Sequence, residues 1–343
     1  MTTMREVAAA ANVSPATVSR VLNGTAVDPV KAARVRAAVE RAGYRRNPIG
    51  RALRTRRTRN WSFIAADIED SFFTSVLRGL DDIALANDHS VMVSNTNDDP
   101  EREAIHVRLA VENHVSGVVL ATETTNPVIL APLLDTPTPV VLIETASVDC
   151  GDLDTVLVDN RLGAKVAMIH LIEQGYERIA CLAGPSGHHA TNERLSGCGE
   201  ALAATGRTIE QVVEHADYRP EGGYQSAMSL LGAPDRPDAL LVFNSQMAAG
   251  AIRAARSHGL SIPHDLGMVA FDDASWTSLV TPALTVVRQP TYELGRAAGE
   301  VLLNRATPLE APEDVGAEAS IHEVLAPELV VRSSSMRDGP VRS

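Results

Sequence analysis

The chain has 343 residues, 45% of them apolar and only 3% aromatic, enough for about two or three domains whose cores rest on Ala, Val, Leu and Ile. No stretch approaches the roughly 20 apolar residues of a membrane span, and Met1–Ala11 lacks the basic start and long apolar run of a secretion signal. Cys150, Cys181 and Cys198 are odd in number and lack metal-type spacing, which argues against a disulfide scaffold or a zinc module and for reduced thiols in the cytoplasm.

The net charge of −12 is unevenly divided. Residues 1–60 hold 13 basic and 3 acidic side chains; the remainder holds 18 basic and 40 acidic. A small basic module on a large acidic body points to nucleic acid at one end, with the body repelled by phosphates.

Taken in chain order, Met4–Ala11 is a run of helix formers that Asn12-Val13-Ser14 interrupts. Ser14 is suited to cap a second helix, and Pro15 to occupy its first turn, where a missing N–H costs nothing. That helix runs to Leu22 and stops at Asn23-Gly24. A third is predicted over Val30–Ala42, with Gly43 as its stop. Val7, Val18, Val21 and Leu22 are placed to bury against one another. Two short helices, a three-residue turn and a supporting third helix make a helix-turn-helix, whose second helix enters the major groove of double-stranded DNA. Arg20 then presents a guanidinium fork to guanine, and Ala16, next to Pro15, packs on a thymine methyl. Ser14, Thr17, Ser19 and Asn23 suit phosphate contacts.

Asn47-Pro48 is a further cap, opening at most two helical turns over Ile49–Arg54. A helix so short, with Gly50 inside it, does not stand alone in water. The basic residues Arg51, Arg54, Arg56, Arg57 and Arg59 suit it to a phosphate backbone.

From Trp61 the texture changes to alternating strands and helices. Strands are predicted at Trp61–Ala66, Val91–Ser94, Gly117–Ala121, Val140–Ile143 and Val156–Val158, with helices at Ser75–Asn87 and Pro100–Asn113 between them. A second series opens with a helix at Arg161–Gln174 and continues with strands Ile179–Ala183, Leu240–Phe243 and Met268–Phe271. Two βαβ runs imply an α/β body of two doubly wound parallel sheets, with a ligand cleft at the carboxyl ends of the strands.

Val13-Ser14-Pro15-Ala16-Thr17-Val18-Ser19-Arg20-Val21-Leu22-Asn23-Gly24 resembles the headpiece signature of the LacI/GalR family of bacterial regulators. Gly43-Tyr44, Asn47-Pro48 and Arg51-Ala52-Leu53-Arg54 resemble its next landmarks. In the body the resemblance continues through Asp67–Phe73, Leu142-Ile143-Glu144, Asp159-Asn160-Arg161, Glu193–Gly197, Asn244–Gly250, Phe271-Asp272-Asp273, Thr281–Thr285 and Arg288-Gln289-Pro290, and so covers nearly the whole chain.

The resemblance implies a headpiece over 1–46, a hinge helix and linker over 47–60, and a two-lobed, periplasmic-binding-protein-like core over 61–343. Its N-lobe would take about 61–159 and 290–320, its C-lobe about 160–288 and 321–332, with a tail over 333–343. The chain would cross between lobes near 159, 289 and 320. Paired hinge helices of a homodimer would lie on the minor groove, with Leu53 as the wedge. The implied function is a cytoplasmic repressor that binds a palindromic operator under the control of a small molecule, a sugar or related polyol, with a purine or nucleoside as the alternative.

The residues implied to hold that effector are Phe73, Glu144, Arg194, Asn244, Asp272 and Trp276. Arg194 offers a planar fork for hydroxyls, Asp272 accepts two of them, Asn244 both donates and accepts, and the two rings stack on a sugar face. Trp276 has packing between lobes as an equal alternative. Glu144 stands where the family usually has Asp. Asp70-Ser71 replaces the usual Asn-Pro, and Ser245 a common Asp.

A periplasmic solute-binding protein would share the body but not the basic head. The sequence holds no GxxxxGK[ST], HExxH or CxxC pattern, so neither an enzyme, nor a cofactor, nor a metal is expected. The adjacent His188 and His189 point apart on either regular element. The Ser-rich tail lacks the leucine heptads of a tetramerising bundle.

Overall fold

The computed structural model describes residues 2–22, 25–44, 58–121, 126–145, 153–206, 210–305 and 319–337. The expected hinge helix, with Arg51, Leu53 and Arg54, lies outside the described residues, as does Asn23. The chain divides into two compact units, Met1–Thr58 and Arg59–Ser343.

The first unit contains three helices, α1 (Met4–Ala11), α2 (Pro15–Leu22) and α3 (Pro29–Ala42). Each begins at a side chain that accepts an otherwise orphaned N–H. Thr3 and Glu6 cap α1 reciprocally: Glu6 N–H donates to Thr3 Oγ1 (3.3 Å) and Thr3 N–H to Glu6 Oε2 (2.8 Å). Thr17 N–H donates to Ser14 Oγ (3.1 Å) at the start of α2, and Lys31 N–H to Asp28 Oδ1 (3.0 Å) at the start of α3. Asn12, with φ 48°, ends α1 in the left-handed region that asparagine tolerates. Arg34 on α3 donates to Asn12 O (3.0 Å) and Ala11 O, tying the turn down. Val7, Ala8, Ala11, Val18, Val35 and Ala38 form the buried core; Val21 and Leu22 pack at its edge.

The second unit holds two six-stranded sheets. Strands β1 (Asn60–Ala65), β2 (Ser90–Asn95), β3 (Gly117–Ala121), β4 (Val140–Ile143), β5 (Asp154–Val158) and β11 (His322–Leu325) make one, in the order β11-β5-β4-β3-β1-β2. Strands β6 (Arg178–Ala183), β7 (Glu210–His215), β8 (Ala239–Val242), β9 (Gly267–Phe271), β10 (Thr285–Arg288) and β12 (Glu328–Val330) make the other, ordered β12-β10-β9-β8-β6-β7. All described pairings are parallel except β10 with β12. Central strands such as β3, β4, β8 and β9 are buried throughout, which is why they read as unbroken apolar runs rather than alternations.

The chain passes from the first sheet to the second after Val158 and returns after Arg288. The third crossing falls between Leu325 and Glu328 rather than near 320. His322–Leu325 still pairs in register with Thr155–Val158 of the first sheet, and Val330–Glu328 then pairs with β10 of the second. The returning helix Thr291–Arg305 lies against the helix Ser71–Ala86. Gly79 and Gly295 make that approach possible: a Cβ on either would collide with backbone of the other helix, at Tyr292 O and Val76 O respectively. The helix Ser71–Ala86 starts one turn earlier than its apolar spacing predicts, because Asp70 Oδ1 caps it by accepting from Phe72 N–H (2.9 Å). That extra turn fixes Phe72 and Phe73.

The C-terminal segment closes the second lobe through a polar network. Arg332 donates to both carboxylate oxygens of Asp273 (2.8 Å each), and Ser334 Oγ accepts from Thr285 N–H (2.8 Å). Ser335 joins Thr285 and His170 (2.7 Å each).

Candidate functional site

On the first unit, the free face of α2 is the candidate DNA-reading surface. Ser14, Pro15, Ala16 and Arg20 are exposed, Thr17 and Ser19 half-buried, and Val18 is turned fully into the core. The eight-residue helix spends one apolar side on packing and leaves the other free. Ser14 serves its cap and pairs its hydroxyl with Thr17 Oγ1 (2.9 Å), which holds both side chains at the start of the helix.

On the second unit, a cleft enclosing about 590 Å³ of space, part of it open to solvent, lies at the carboxyl ends of the parallel strands of both sheets. Most of its lining residues stand within a few places of strand ends: Asp67 and Asp70 after β1, Asp98 after β2, Glu144 after β4, Tyr218 after β7, Asn244 after β8, Asp272 after β9 and Gln289 after β10; Arg194 comes from the helix His189–Thr205 that follows β6. A parallel strand is buried along its length and its first exposed position is where it ends, so polar residues there converge from many strands.

Arg194 is 3% exposed. Its Nε donates to Asn160 Oδ1 (2.8 Å), Nη1 donates to Phe243 O, and the guanidinium lies over the Phe271 ring, 4.0 Å from its centroid. A surface salt bridge, the ordinary role of an arginine on a helix, is thereby ruled out. Asp272 is buried, accepting at Oδ1 from Gln289 Nε2 (2.6 Å) and at Oδ2 from Ser245 N–H (3.3 Å). Asn244 caps the helix Ser245–Ser257 with its oxygen, accepting from Met247 N–H (2.8 Å). Its Nδ2 donates to Tyr218 O (2.8 Å) and, across the cleft, to Asp70 Oδ2 (3.5 Å). Gln246 Nε2 reaches Glu69 O (3.4 Å), a second link between the lobes.

Four carboxyls here are held above the ordinary carboxylate range. Burial is the main cause for each. Asp70 is raised to about 7 by burial and by the charge of Asp272, against its bonds from Phe72 N–H and Asn244. Glu144 is raised to about 7 by burial, with Arg194 pulling it back and Asp272 pushing it up. Asp272 is also raised, against Arg194, Gln289 and Ser245. Asp98 is raised by burial, opposed by His188 and Arg219. Glu144 and Asp272 further hold φ values of 66° and 72°, the left-handed region that costs a non-glycine residue on the order of 1–3 kcal/mol. Glu144 Oε1 and Gln289 Oε1 are buried with no hydrogen-bond partner among the described residues.

Five of the six expected effector residues therefore line the cleft: Phe73, Glu144, Arg194, Asn244 and Asp272. Trp276 does not. It packs half-buried against the hydrophobic core of the second lobe, in a turn where Leu279 N–H donates to its carbonyl (2.9 Å). Its bulk fills a lobe rather than the cleft. Asp70, Asp98, Tyr218 and Gln289 also line the cleft, outside the six expected effector residues. The signal that would have found them is position: each is a polar residue within a few places of the end of a parallel strand.

Residues 3–47 match the model of "Bacterial regulatory proteins, lacI family", and residues 168–335 that of "Periplasmic binding protein-like domain". The chain is 31% identical over 310 residues to the ribose operon repressor of Escherichia coli K12, covering 90% of this chain and 94% of that one. Among solved structures it resembles a lac repressor dimer bound to operator and the anti-inducer ONPF (25% identity, TM-score 0.83, 98% and 99% of the two chains covered). It also resembles a complex of the transcriptional regulator CelR with cellobiose (30% identity, TM-score 0.70, 97% and 100% covered). A helix-turn-helix head followed by two sheets joined by three crossings, with these likenesses over nearly its whole length, means that the chain belongs to the lacI family of bacterial regulatory proteins.

Proposed function

We propose that this protein is a cytoplasmic, dimeric repressor whose grip on a palindromic operator is set by a carbohydrate or related polyol held in the cleft. The observation that carries the reading is the convergence of Arg194, Asn244 and Asp272 with Asp70 and Glu144 on one cleft, from both lobes, in a chain that begins with an exposed base-reading helix. On the DNA, Arg20 and Ala16 beside Pro15 read base edges, while Ser14, Thr17, Ser19 and Asn23 hold phosphates. In the hinge, Leu53 is the minor-groove wedge and Arg51 and Arg54 track phosphates.

The mechanism is a shift between two lobe arrangements. A ligand bridging residues of both lobes favours one relative angle, and that angle sets whether the hinges of the dimer can pair. Ligand and operator then affect each other's affinity by the same factor, about 5- to 150-fold. The lac repressor and CelR structures, with operator and cellobiose respectively, support a DNA partner at one end and a sugar at the other.

The test is operator binding by fluorescence anisotropy, with and without the compound that most stabilises the core in a thermal-shift screen of sugars and nucleosides. A ligand-dependent change in operator affinity that disappears in Arg194→Ala supports the reading. A ligand that binds yet leaves operator affinity unchanged overturns it.

A further inference from the structure

The cleft's charge is lopsided in a way that bears on its ligand. Asp70, Glu144 and Asp272 are each at most 8% exposed, and Asp67, Asp98 and Asp217 stand around the rim. Against them the lining offers Arg194 and Arg219. Arg194 donates one N–H to Asn160 and one to Phe243 and rests on Phe271; its remaining N–H groups can serve a ligand, but its single charge does not balance three buried carboxyls. Two buried acceptors, Glu144 Oε1 and Gln289 Oε1, have no donor among the described residues. A group that entered between them would have to bring N–H or O–H, because each orphaned acceptor is costly until it is met.

A phosphate or carboxylate brings only acceptors and more negative charge to a wall of carboxyls. A neutral hydroxyl answers the orphaned acceptors but leaves the carboxyl excess in place. An ammonium or secondary ammonium group answers both, with two or three donors and a positive charge in a setting of reduced dielectric. Phe72 and Phe73, edge to face with centroids 5.1 Å apart, line the same cleft and offer an apolar surface to the C–H face of a ring.

We propose that the cleft takes a polyhydroxylated amine, an amino or imino sugar, whose cationic nitrogen sits among Glu144, Asp70 and Asp272, and that phosphorylated and acidic sugars are excluded. This rests on the reading of the cleft as the effector site and narrows its ligand class.

The experiment uses the full chain and calorimetric titration with matched compounds: glucosamine, galactosamine and mannosamine, their parent hexoses, their uncharged N-acetyl forms and their 6-phosphates, with 1-deoxynojirimycin as an imino sugar. For the configuration that binds best, the amine should exceed both its parent and its N-acetyl form by at least tenfold, and the phosphate should not bind. Glu144→Gln should lower the amine-to-parent affinity ratio at least threefold, and Asp70→Asn should lower it as well; a ratio unchanged in both variants overturns the placement of the nitrogen. A parent or N-acetyl sugar that binds as tightly as the amine overturns the proposal and leaves the regulatory reading intact. So does failure of every amine to bind. An amine that binds as predicted but does not alter operator affinity upholds the ligand chemistry and overturns the regulatory reading.

Discussion

Replacing Glu144 with Gln tests whether the cleft stores an unfavourable buried charge. In the folded chain the Glu144 carboxyl titrates at about 7 instead of 4.5, with burial as the main cause. Below pH 4.5 it is protonated whether the chain is folded or not, and its stabilising contribution is fully present. As pH rises past 4.5 the unfolded chain ionises first, so stability falls until the folded form ionises near 7, and then levels off. At about 1.36 kcal/mol per pH unit the whole loss is about 3 kcal/mol. Glutamine keeps the shape and does not titrate. The stability gained by Glu144→Gln should therefore be small near pH 4.5, grow between pH 4.5 and 7, and stay constant above. Asp70 and Asp272 titrate in both proteins and largely cancel in the difference. Urea unfolding followed by tryptophan fluorescence suits the measurement, because both tryptophans, Trp61 and Trp276, lie in the second unit. A difference between the two proteins that is the same at pH 5 and pH 8, or a variant less stable at pH 8, would refute the reasoning.

Arg20→Ala should cost about 1–3 kcal/mol of discrimination against a mutated operator, while leaving weak binding that falls steeply with salt; competition against random duplex reads both. Asp272→Ala should leave operator affinity without ligand within about twofold of wild type and remove the ligand response; a normal response by anisotropy would move the effector elsewhere. Gly295→Ala should destabilise the second unit by about 1–3 kcal/mol or more in urea, since its Cβ meets the Val76 carbonyl and the two helices must part; an unchanged midpoint would contradict the packing.

Much of this architecture is readable from residue order because its rules are local. Ser14-Pro15 and Gly43 announce where helices of the head begin and end, and unbroken apolar runs such as Val140–Ile143 announce strands buried on both faces; the Asp28 cap that starts the third helix one residue before Val30 was not read. The start of the helix at Ser71 was not readable from apolar spacing, because a single cap at Asp70 set it. The third crossing was displaced because a strand as short and half-exposed as His322–Leu325 carries little periodic signal, and its place in the first sheet is decided by pairing with β5. In the cleft, Arg194, Asn244 and Asp272 were foreseeable from the family pattern. Trp276 lies outside the cleft lining and takes the packing role that was its equal alternative, since a large ring near a strand end serves packing as readily as ligand. Asp98 and Tyr218 stand a few places past the ends of β2 and β7, but which lobe faces them there is decided by the fold.

In the proposed function, a ligand in the Arg194–Asp272 cleft governs how tightly the head holds DNA. The most direct measurement is the operator dissociation constant of the full chain, with and without saturating ligand, for the wild type and Asp272→Ala side by side. A 5- to 150-fold ligand effect in the wild type that vanishes in the variant, at equal ligand-free affinity, is the predicted result. The same ligand effect in both proteins would contradict it.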